Sequence, residues 1–584
     1  MRRCGLPVAP CTGIRPPPAR AESEETTVSN GQHSEREVIV VGGGPVGLTA
    51  ALLLADAGVR TTVVEKATAP GDLPRAISLQ DESFRVFDQL GIADALKAES
   101  LLDTGSRYFG LGERLLAEAR PVPSRLGHPA KTQFDQPILE QLLFDRALAH
   151  PGLEVLLGTE AVELSQDAQG VALAVETPEG RRILAADWLI GADGGRSFTR
   201  SALGIDLVGT TQPQRWIVID LLNETTPRDP FAEFHCDGER PYVLVPGIKG
   251  RLRLEFMLFD HEDADEMTSP DMIRELMRPF RADLDPADVR RAAVYVAHQR
   301  VARSYRSGRA FLAGDAAHLM PPFAGQGLNA GIRDAANIAW KLIEAVRGGA
   351  TDRLLDTYET ERRAHGAKMM MLSRRIGAVV MATHPLATRL RDATVQVLRQ
   401  APPVHSYLAG MRFVTPPDYS DGLAVAPGPR TPALPGVTVG SAVSQPRVVP
   451  AAAAQPGDTA GRTSGKATGL DAVLGSGWAV IGLASDPGDL DPYFTALGAT
   501  LVRLDGPGTP AGPGAGSGAA AGVEHVREEH ETLTAGLPGT PVYVVVRPDR
   551  YVAAVFTPGE QDHVVRQLRT HLDDRVRRAR QPIA

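Results

Sequence analysis

Glycines occur early in the chain at a spacing that lets backbone N–H groups approach a phosphate. The segment Gly42-Gly43-Gly44-Pro45-Val46-Gly47 lies between a run of valines and an apolar stretch, and Glu65 ends the next run of β-formers. Such glycines permit a tight turn, the following helix N-terminus adds partial positive charge, and the acid accepts hydrogen bonds from ribose hydroxyls. A glycine turn in an unrelated α/β protein is the alternative, but it does not explain the strand, helix and acid together. We therefore predict a dinucleotide-binding βαβ unit here.

Two further segments extend this prediction. They cover residues 189–197 and 312–318, and the second continues to residue 331. Together with the first turn, they resemble the single-component FAD-dependent aromatic hydroxylases. The resemblance implies that Asp315 contacts the ribityl chain of a non-covalently bound FAD. It also implies that Asp193-Gly194 supports both the cofactor and the site where NADH or NADPH reduces it.

The motifs and the resemblance together predict a set of FAD contacts. These are Gly42, Gly44, Pro45, Val46, Gly47, Glu65, Lys66, Arg75, Gln136, Asp193, Gly194, Gly314, Asp315, Pro322, Gly325, Gly327, Leu328 and Asn329. Arg75 and Gln136 belong to the set because they match the family's pattern; taken alone, both are more typical of surface residues. Gly325 and Gly327 allow backbone to lie close to a flat isoalloxazine ring. The following helix then directs its N-terminus at the edge that becomes anionic on reduction.

Segments outside the cofactor motifs narrow the resemblance. They are residues 215–218, 240–243, 255–257 and 547–554. They resemble the subgroup that acts on 3-(3-hydroxyphenyl)propionate and 3-hydroxycinnamate. This implies that NADH or NADPH reduces FAD, and that O2 then forms a flavin C4a-hydroperoxide that hydroxylates a phenolic aromatic acid. The sequence has no second strand-glycine-helix unit for a nicotinamide nucleotide, which fits transient binding of the reductant.

Other functions stay open at this stage. A hydroxylase or Baeyer-Villiger enzyme of polycyclic aromatic natural products has the same cofactor motifs with a larger pocket. A flavin oxidase or dehydrogenase inserts no oxygen, and a non-catalytic flavin-binding interaction protein does not consume NADH. The cofactor carries the difficult chemistry, so no side-chain nucleophile is required. His235, His318 and Tyr242 are candidates for a base that removes a phenolic proton, although each is more simply explained as a structural residue.

These residues must be positioned by an α/β fold with an added β unit. A chain of 584 residues exceeds the size at which one core usually keeps growing. We predict a discontinuous Rossmann-like FAD-binding domain, an inserted antiparallel-sheet substrate domain, and a C-terminal domain that resembles thioredoxin but lacks cysteines. The predicted divisions are a disordered N-terminal extension at 1–35, the FAD-binding domain at 36–206 and 296–402, the substrate domain at 207–295, a linker at 403–440 and the thioredoxin-like domain at 441–584.

Hydrophobic periodicity predicts the main elements of these domains. Strands are predicted at 37–41, 61–64, 188–191, 215–222, 242–246, 251–258 and 310–313. Helices are predicted at 45–58, 138–149 and 329–346.

Composition argues against several other classes of protein. Hydrophobic residues make up 43% and charged residues 23%, the formal net charge is −8, and Lys and Arg form no stripe. This pattern argues against nucleic-acid and anionic-membrane partners, and no apolar stretch is long enough to span a bilayer. Cys4, Cys11 and Cys236 are too far apart for a disulfide framework or a metal site, which predicts a cytoplasmic protein. Its expected partners are a small aromatic substrate and O2, with a homodimer left open.

Overall fold

The computed structural model describes residues 37–410, 413–450, 467–507, 522–537 and 539–572. The extension predicted at 1–35 lies outside these residues. None of the helices in the described ranges combines the length and apolarity needed to cross a membrane.

Residues 37 to 206 form a mixture of strands and helices. In chain order they are β1 (Val38–Val41), α1 (Pro45–Asp56), β2 (Thr61–Val64), β3 (Ser78–Gln80), α2 (Asp81–Gln89), α3 (Ala93–Ala98), β4 (Gly105–Phe109), β5 (Leu115–Ala119), β6 (Lys131–Gln133), α4 (Gln136–Leu148), β7 (Leu153–Leu156), β8 (Glu160–Gln166), β9 (Val171–Thr177), β10 (Gly180–Ala186), β11 (Trp188–Gly191) and α5 (Phe198–Ala202). The strands predicted at 61–64 and 188–191 are confirmed, and the helices predicted at 45–58 and 138–149 are observed with shifted ends.

Strands dominate the next part of the chain. In order they are β12 (Leu207–Leu221), β13 (Phe231–His235), β14 (Tyr242–Pro246), β15 (Leu252–Leu258), β16 (Val289–Ala302), β17 (Arg306–Ser307), β18 (Ala310–Leu312) and β19 (His318–Leu319). Two short helices, α6 (Ala264–Met267) and α7 (Pro270–Met277), lie between β15 and β16. The strand predicted at 242–246 is confirmed, whereas the one predicted at 215–222 begins much earlier.

Helices come next, followed by a last group of strands. In order the elements are α8 (Gly327–Val346), α9 (Asp352–Val380), α10 (Pro385–Leu398), α11 (Pro402–Ala409), β20 (Arg447–Pro450), β21 (Thr468–Gly469), α12 (Leu470–Leu474), β22 (Ala479–Leu483), α13 (Pro492–Ala496), β23 (Thr500–Asp505), β24 (Val523–Glu528), β25 (Val542–Val546), β26 (Val552–Phe556) and α14 (Gln561–Arg569). The helix predicted at 329–346 is observed as α8. Within the described residues from 413 to 446, the chain forms no helix or named strand.

A six-stranded sheet carries the first glycine turn. Its order is β17-β18-β11-β1-β2-β7, and every pairing is parallel except that of the edge strand β17. The valines and isoleucine of β1 are all buried because both faces of the sheet are covered. Val38 and Val40 pack with α1 and α8, whereas Ile39 and Val41 pack against the three-stranded sheet of β8, β9 and β10.

A second sheet has eight strands in the order β19-β16-β12-β15-β14-β13-β4-β5. It corrects the expectation of a purely antiparallel sheet, because β13 pairs with β4 in parallel. β4 and β5 also come from outside the predicted insertion at 207–295. In the chain, β4 and β5 lie between β3 and β6, the two strands that pair to form a separate ribbon. The sheet therefore draws strands from three separated parts of the chain.

The C-terminal strands form a mixed sheet in the order β21-β20-β24-β23-β22-β25-β26. A cluster of buried charges joins the loop between β25 and β26 to the long helices. Arg547 donates two hydrogen bonds to Glu361 of α9, at 2.7 and 2.9 Å, and Lys341 of α8 donates a third at 2.8 Å. Burial alone would raise the pKa of Glu361, but Arg547 and Lys341 hold that pKa far below its ordinary value. Glu361 therefore stays ionised inside the protein.

The substitution Glu361→Gln should destabilise the protein strongly, because it leaves Lys341 and part of the charge of Arg547 uncompensated. Removing one partner of a buried ion pair costs about 3–5 kcal/mol. The matched control is Glu275→Gln, which breaks an exposed pair with Arg278 and costs at most about 1 kcal/mol. Thermal unfolding followed by circular dichroism measures both variants. Equal unfolding midpoints would contradict the role given to Glu361.

Candidate active site

A cavity of about 670 Å³ lies between the ends of the parallel strands, the ribbon of β3 and β6, and one face of the eight-stranded sheet. Many predicted contacts line it: Gly44, Pro45, Val46, Arg75, Gln136, Gly194, Asp315, Pro322, Gly325, Gly327 and Leu328. Other predicted contacts lie outside its wall: Gly42, Gly47, Glu65, Lys66, Asp193, Gly314 and Asn329. The structure thus separates residues that border the space open to a ligand from residues that shape the loops around it.

The first glycine turn shows this separation. Gly42 has φ of 108°, and a Cβ atom there would lie 2.4 Å from the carbonyl oxygen of Ala192. A Cβ atom at Gly47 would lie 1.9 Å from the carbonyl oxygen of Gly42. At Gly44, in contrast, no atom lies within 4 Å of the Cβ position, so the N-terminus of α1 faces open space. An open, positively polarised helix start fits the pyrophosphate of FAD.

Glu65 holds the same turn from the neighbouring strand. Its Oε2 accepts a hydrogen bond from Gly43 N at 2.6 Å, and its Oε1 accepts one from Ala67 N at 2.8 Å. Contact between Glu65 and a ribose stays a prediction, since both carboxylate oxygens already accept hydrogen bonds from backbone N–H groups. Lys66 is exposed beside it.

The carboxylate of Asp193 also accepts hydrogen bonds from residues of its own loop. One carboxylate oxygen accepts hydrogen bonds from the backbone N and hydroxyl of Thr199, at 2.8 and 3.0 Å, and the other accepts one from the Ser197 hydroxyl. These bonds fix the loop before α5. Gly194, with φ of 77°, is the part of this loop that reaches the cavity wall.

Asp315 has the opposite arrangement, because its side chain is open to the cavity. Surrounding protein raises the pKa of its carboxyl, while His318 and Arg75 act in the opposite direction. Gly314 before it has φ of 60° and donates its N–H to Asp334 at 3.0 Å, which fixes the turn. A carboxylate held in this way suits the ribityl hydroxyls, which are hydrogen-bond donors.

The start of α8 opens on the cavity through Gly327 and Leu328. Asn329 fixes this start, because its Oδ1 accepts from Gln80 N and Ser83 Oγ, and its Nδ2 donates to Ser78 O and Gly325 O. The side chain of Asn329 is therefore used for positioning. The N-terminus of this 20-residue helix places partial positive charge at the cavity.

Gln136 supports the loop that carries Arg75. Its Oε1 accepts a hydrogen bond from Ala76 N at 2.6 Å, and its Nε2 donates one to Glu140 Oε1 at 2.6 Å. Arg75 itself is exposed at the cavity wall. The amide of Gln136 is thus committed to protein partners, although the residue borders the cavity.

One face of the eight-stranded sheet forms the floor of the cavity. A row in register across β15, β14, β13 and β4 contains Glu255, Val243, Phe234 and Tyr108. The next row contains Arg253, Val245, Ala232 and Ser106. All of these residues line the cavity, and the Tyr108 ring stacks on Phe234 with centroids 4.8 Å apart. The floor is polar at its β15 end, apolar in the middle, and polar again at Ser106.

Sequence reasoning missed the charged end of this floor. The Tyr295 hydroxyl donates to Glu255 Oε2 at 2.6 Å, and Arg253 Nη1 lies 3.7 Å from Glu255 Oε1. Asp220 in turn holds the guanidinium of Arg253, with Nε to Oδ1 at 2.6 Å. Burial raises the pKa of Glu255, although Arg253 opposes it. The alternation of charged and apolar residues in β15 was the signal that could have found these residues.

Comparison with known protein families identifies the family to which this chain belongs. Residues 35–373 match the FAD binding domain family. The chain belongs to this FAD-binding family. Residues 445–571 match the HcaD C-terminal domain.

Relatives within the family are hydroxylases. A 3-(3-hydroxy-phenyl)propionate/3-hydroxycinnamic acid hydroxylase of Mycolicibacterium smegmatis is 40% identical over 80% of this chain and 81% of its own length. A second hydroxylase with the same substrates in its name, from Burkholderia vietnamiensis, is 37% identical over 88% of this chain and 93% of its own. The solved structure of OxyS anhydrotetracycline hydroxylase from Streptomyces rimosus matches with a TM-score of 0.68 and 27% identity, over 92% of this chain and 98% of that one. The predicted FAD-dependent monooxygenase is therefore confirmed.

The base candidates of this FAD-binding enzyme need correction, because none of the three lines the cavity. Tyr242 and His235 face away from it, since successive strand residues point to opposite faces and their neighbours Val243 and Phe234 face inward. Their own rings stack on each other with centroids 4.1 Å apart. His318 is fully buried, with Nε2 2.8 Å from Asp334 Oδ2. All three therefore contact protein groups outside the cavity wall.

The substitution Gly42→Ala should reduce FAD retention, because the added Cβ would displace the Ala192 loop that leads to Gly194. Gly58→Ala is the matched control: Gly58 also has positive φ, at 83°, but no atom lies within 4 Å of its Cβ position. Both variants carry backbone strain of about 1–2 kcal/mol. The ratio of absorbance at flavin and protein wavelengths after gel filtration reports bound FAD. Equal FAD content in the two variants would show that the contact with Ala192 is unimportant.

Proposed function

We propose that the chain hydroxylates a phenolic aromatic acid such as 3-(3-hydroxyphenyl)propionate or 3-hydroxycinnamate, using NADH or NADPH and O2. The observation that carries this proposal is the cavity floor, whose polar ends are separated by Val243, Val245 and Phe234. A molecule with an ionisable group at each end of an apolar ring matches that pattern. The names of the relatives from Mycolicibacterium smegmatis and Burkholderia vietnamiensis support the same class of substrate.

In this proposal the cofactor supplies the redox chemistry and the protein binds and orients the cofactor. When bound, FAD supplies the redox chemistry, by accepting a hydride from the nicotinamide reductant and by activating O2 for insertion into the ring. The start of α1 at Gly44 would bind the pyrophosphate, and Asp315 would accept hydrogen bonds from the ribityl hydroxyls. The start of α8 would stabilise negative charge on the reduced cofactor, an electrostatic contribution that needs no rearrangement of the protein.

The floor of the cavity orients the substrate ring and excludes water from it. Phe234, Val243 and Val245 supply the apolar surface, and stacked Tyr108 extends it. Exclusion of water matters because activated oxygen that misses the ring is lost as peroxide.

Glu255 accepts the phenolic proton in this proposal. A phenol that loses its proton carries more electron density on the ring, which favours attack by an electrophilic oxygen. Glu255 borders the cavity, and the raised pKa caused by its burial makes it a better proton acceptor than an exposed carboxylate. Tyr295, which donates to the other carboxylate oxygen, keeps the side chain in place.

The substrate class is tested by screening 3-(3-hydroxyphenyl)propionate, 3-hydroxycinnamate and bulkier polycyclic phenols. The two acids should stimulate NADH or NADPH consumption and yield a product that carries one atom from labelled O2. Mass spectrometry of the product and the ratio of product to oxidised nicotinamide measure the coupling. Stimulation without labelled product from either acid would refute the proposal.

A second candidate function is hydroxylation of a polycyclic aromatic natural product. It is favoured by the similarity to OxyS, whose name states anhydrotetracycline as its substrate. In the same screen, labelled product from the polycyclic phenols alone would select this function over the first.

The substitution Glu255→Gln should lower kcat about 10²–10⁴-fold, the usual contribution of a positioned acid or base, with little change in KM. Glu233→Gln is the control, because Glu233 lies two strands away on β13 of the same sheet but on the opposite face. The activity of the parent enzyme should also fall as the pH drops through the raised pKa of Glu255, where the carboxylate becomes protonated, and Glu255→Gln should lack this pH dependence. A kcat within twofold of the parent enzyme would remove Glu255 from the mechanism.

The predicted domain divisions also belong to the proposal. The six-stranded sheet supports an FAD-binding domain from 36–206 and 296–402, and β12 to β16 support a substrate domain around 207–295. The seven-stranded sheet with α12, α13 and α14 supports a thioredoxin-like domain. No cysteine follows Cys236, so this domain has no thiol chemistry and its role is structural.

A homodimer and a cytoplasmic location complete the proposal. Leu386, Leu390 and Val397 of α10 are exposed and form an apolar surface that a second copy of the chain would cover. Cys236 is free and buried, which is consistent with a reducing compartment.

A further inference from the structure

A lysine at the Ser106 end of the cavity floor has no acidic partner among the described residues. Lys131 lines the cavity, and its Nζ donates to Ser106 Oγ at 2.6 Å and to Gly105 O at 3.3 Å. Burial lowers the pKa of Lys131 to about 8, so the ammonium form still dominates at neutral pH. Arg253, at the other end of the floor, is neutralised by Asp220. Lys131 is therefore a half-buried cation in the wall whose charge no carboxylate of the described residues neutralises; Arg75 and Arg125 also line the cavity without a described ion pair, but both are exposed.

A second polar side chain beside Lys131 also lacks a partner. Gln133 is 3% exposed and lines the cavity, yet neither its Oε1 nor its Nε2 has a hydrogen-bond partner in the described structure. A buried polar group left without a partner costs about 1–3 kcal/mol. A ligand that accepts a hydrogen bond from Nε2 recovers part of that cost.

The ribbon of β3 and β6 brings these two side chains together. Residues 131 and 133 are two positions apart on β6, so they point to the same face of the ribbon. Their register partners on β3 are Gln80 and Ser78, which line the cavity as well. Thr132, between them, does not line it.

We propose that Lys131 and Gln133 bind the carboxylate of the aromatic acid, while Ser106 holds the Lys131 ammonium in position. This inference rests on the proposed function and adds the residues that select an acid over a neutral phenol. Glu255 and the β4 strand are three strand spacings apart, or about 14 Å between backbones. This span suits a carboxylate separated from the phenolic hydroxyl by a ring and a short chain, with a hydrogen bond at each end.

The test compares charged and neutral ligands in Lys131→Met holoenzyme. The probes are 3-(3-hydroxyphenyl)propionate, its neutral amide, and 3-phenylpropionate, which has the carboxylate but no phenol to hydroxylate. Dissociation constants come from the change in the visible spectrum of bound FAD. Affinity for both acids should fall about 10- to 100-fold, the effect of losing a charge-assisted hydrogen bond. Affinity for the amide should change less than about twofold.

Lys249→Met is the matched control, since Lys249 is an exposed lysine paired with Glu99. Gln133→Leu, which keeps the volume of the side chain, should weaken the acids more than the amide and leaves the Lys131 charge in place. If Lys131→Met no longer binds FAD, the affinities of Gln133→Leu for the acids and the amide test the inference. Equal losses for acids and amide, or unchanged affinity for the acids, would overturn the inference.

The same measurements separate this inference from the proposed function. If no phenol is hydroxylated but 3-phenylpropionate binds in a manner that depends on Lys131, the proposed function fails and the carboxylate site stands. If the acids are hydroxylated but Lys131→Met and Gln133→Leu bind them normally, the carboxylate site fails and the proposed function stands.

Discussion

The buried carboxylate of Asp334 holds together the segments that surround the cavity. It is fully buried on α8 and accepts hydrogen bonds from Gly314 N at 3.0 Å and Arg362 Nε at 2.7 Å, with His318 Nε2 at 2.8 Å. Burial by itself would raise the pKa of Asp334, but Arg362 and His318 lower it below its ordinary value. An ionised carboxylate thus replaces its lost water with three protein partners. One side chain thereby sets the Asp315 turn, the β19 strand and α9 relative to α8.

Close contact between α1 and α8 completes this arrangement. A Cβ atom at Gly331 would lie 2.5 Å from Val46 Cγ2 and 3.2 Å from Gly314 Cα. Glycine at this position allows both helices to begin at the same cavity. Two positively polarised helix ends therefore converge on the cavity, where they favour a ligand that carries negative charge.

The sequence was sufficient for the cofactor half of the site because its glycines and acids lie in short, local motifs. It was less informative about the role of each side chain. Asp193, Gln136 and Asn329 lie near the cavity, but their polar atoms bind protein backbone or neighbouring side chains. The base candidates failed because a shift of one residue along a strand reverses the face, and the sequence does not say which face of β14 meets the cavity. Lys131 was missed because its partner strand lies some fifty residues earlier, and a three-residue strand has no clear periodicity.

The buried cluster of Glu361, Arg547 and Lys341 makes the C-terminal sheet part of the same cooperative unit as the cofactor helices. Arg85 of α2 forms a second link, because its guanidinium pairs with Asp471 of α12. Removal of the chain beyond residue 440 would leave Arg85 without Asp471 and Glu361 without Arg547, so that only Lys341 would still pair with Glu361 in the remaining core. The irregular segment between 413 and 446 belongs to the same unit, because the buried Tyr419 hydroxyl accepts a hydrogen bond from Arg362 and Leu423 N donates one to Glu361. Cutting there would produce two pieces that cannot fold independently, and unfolding of the intact chain should spread from one part to the other as a single event.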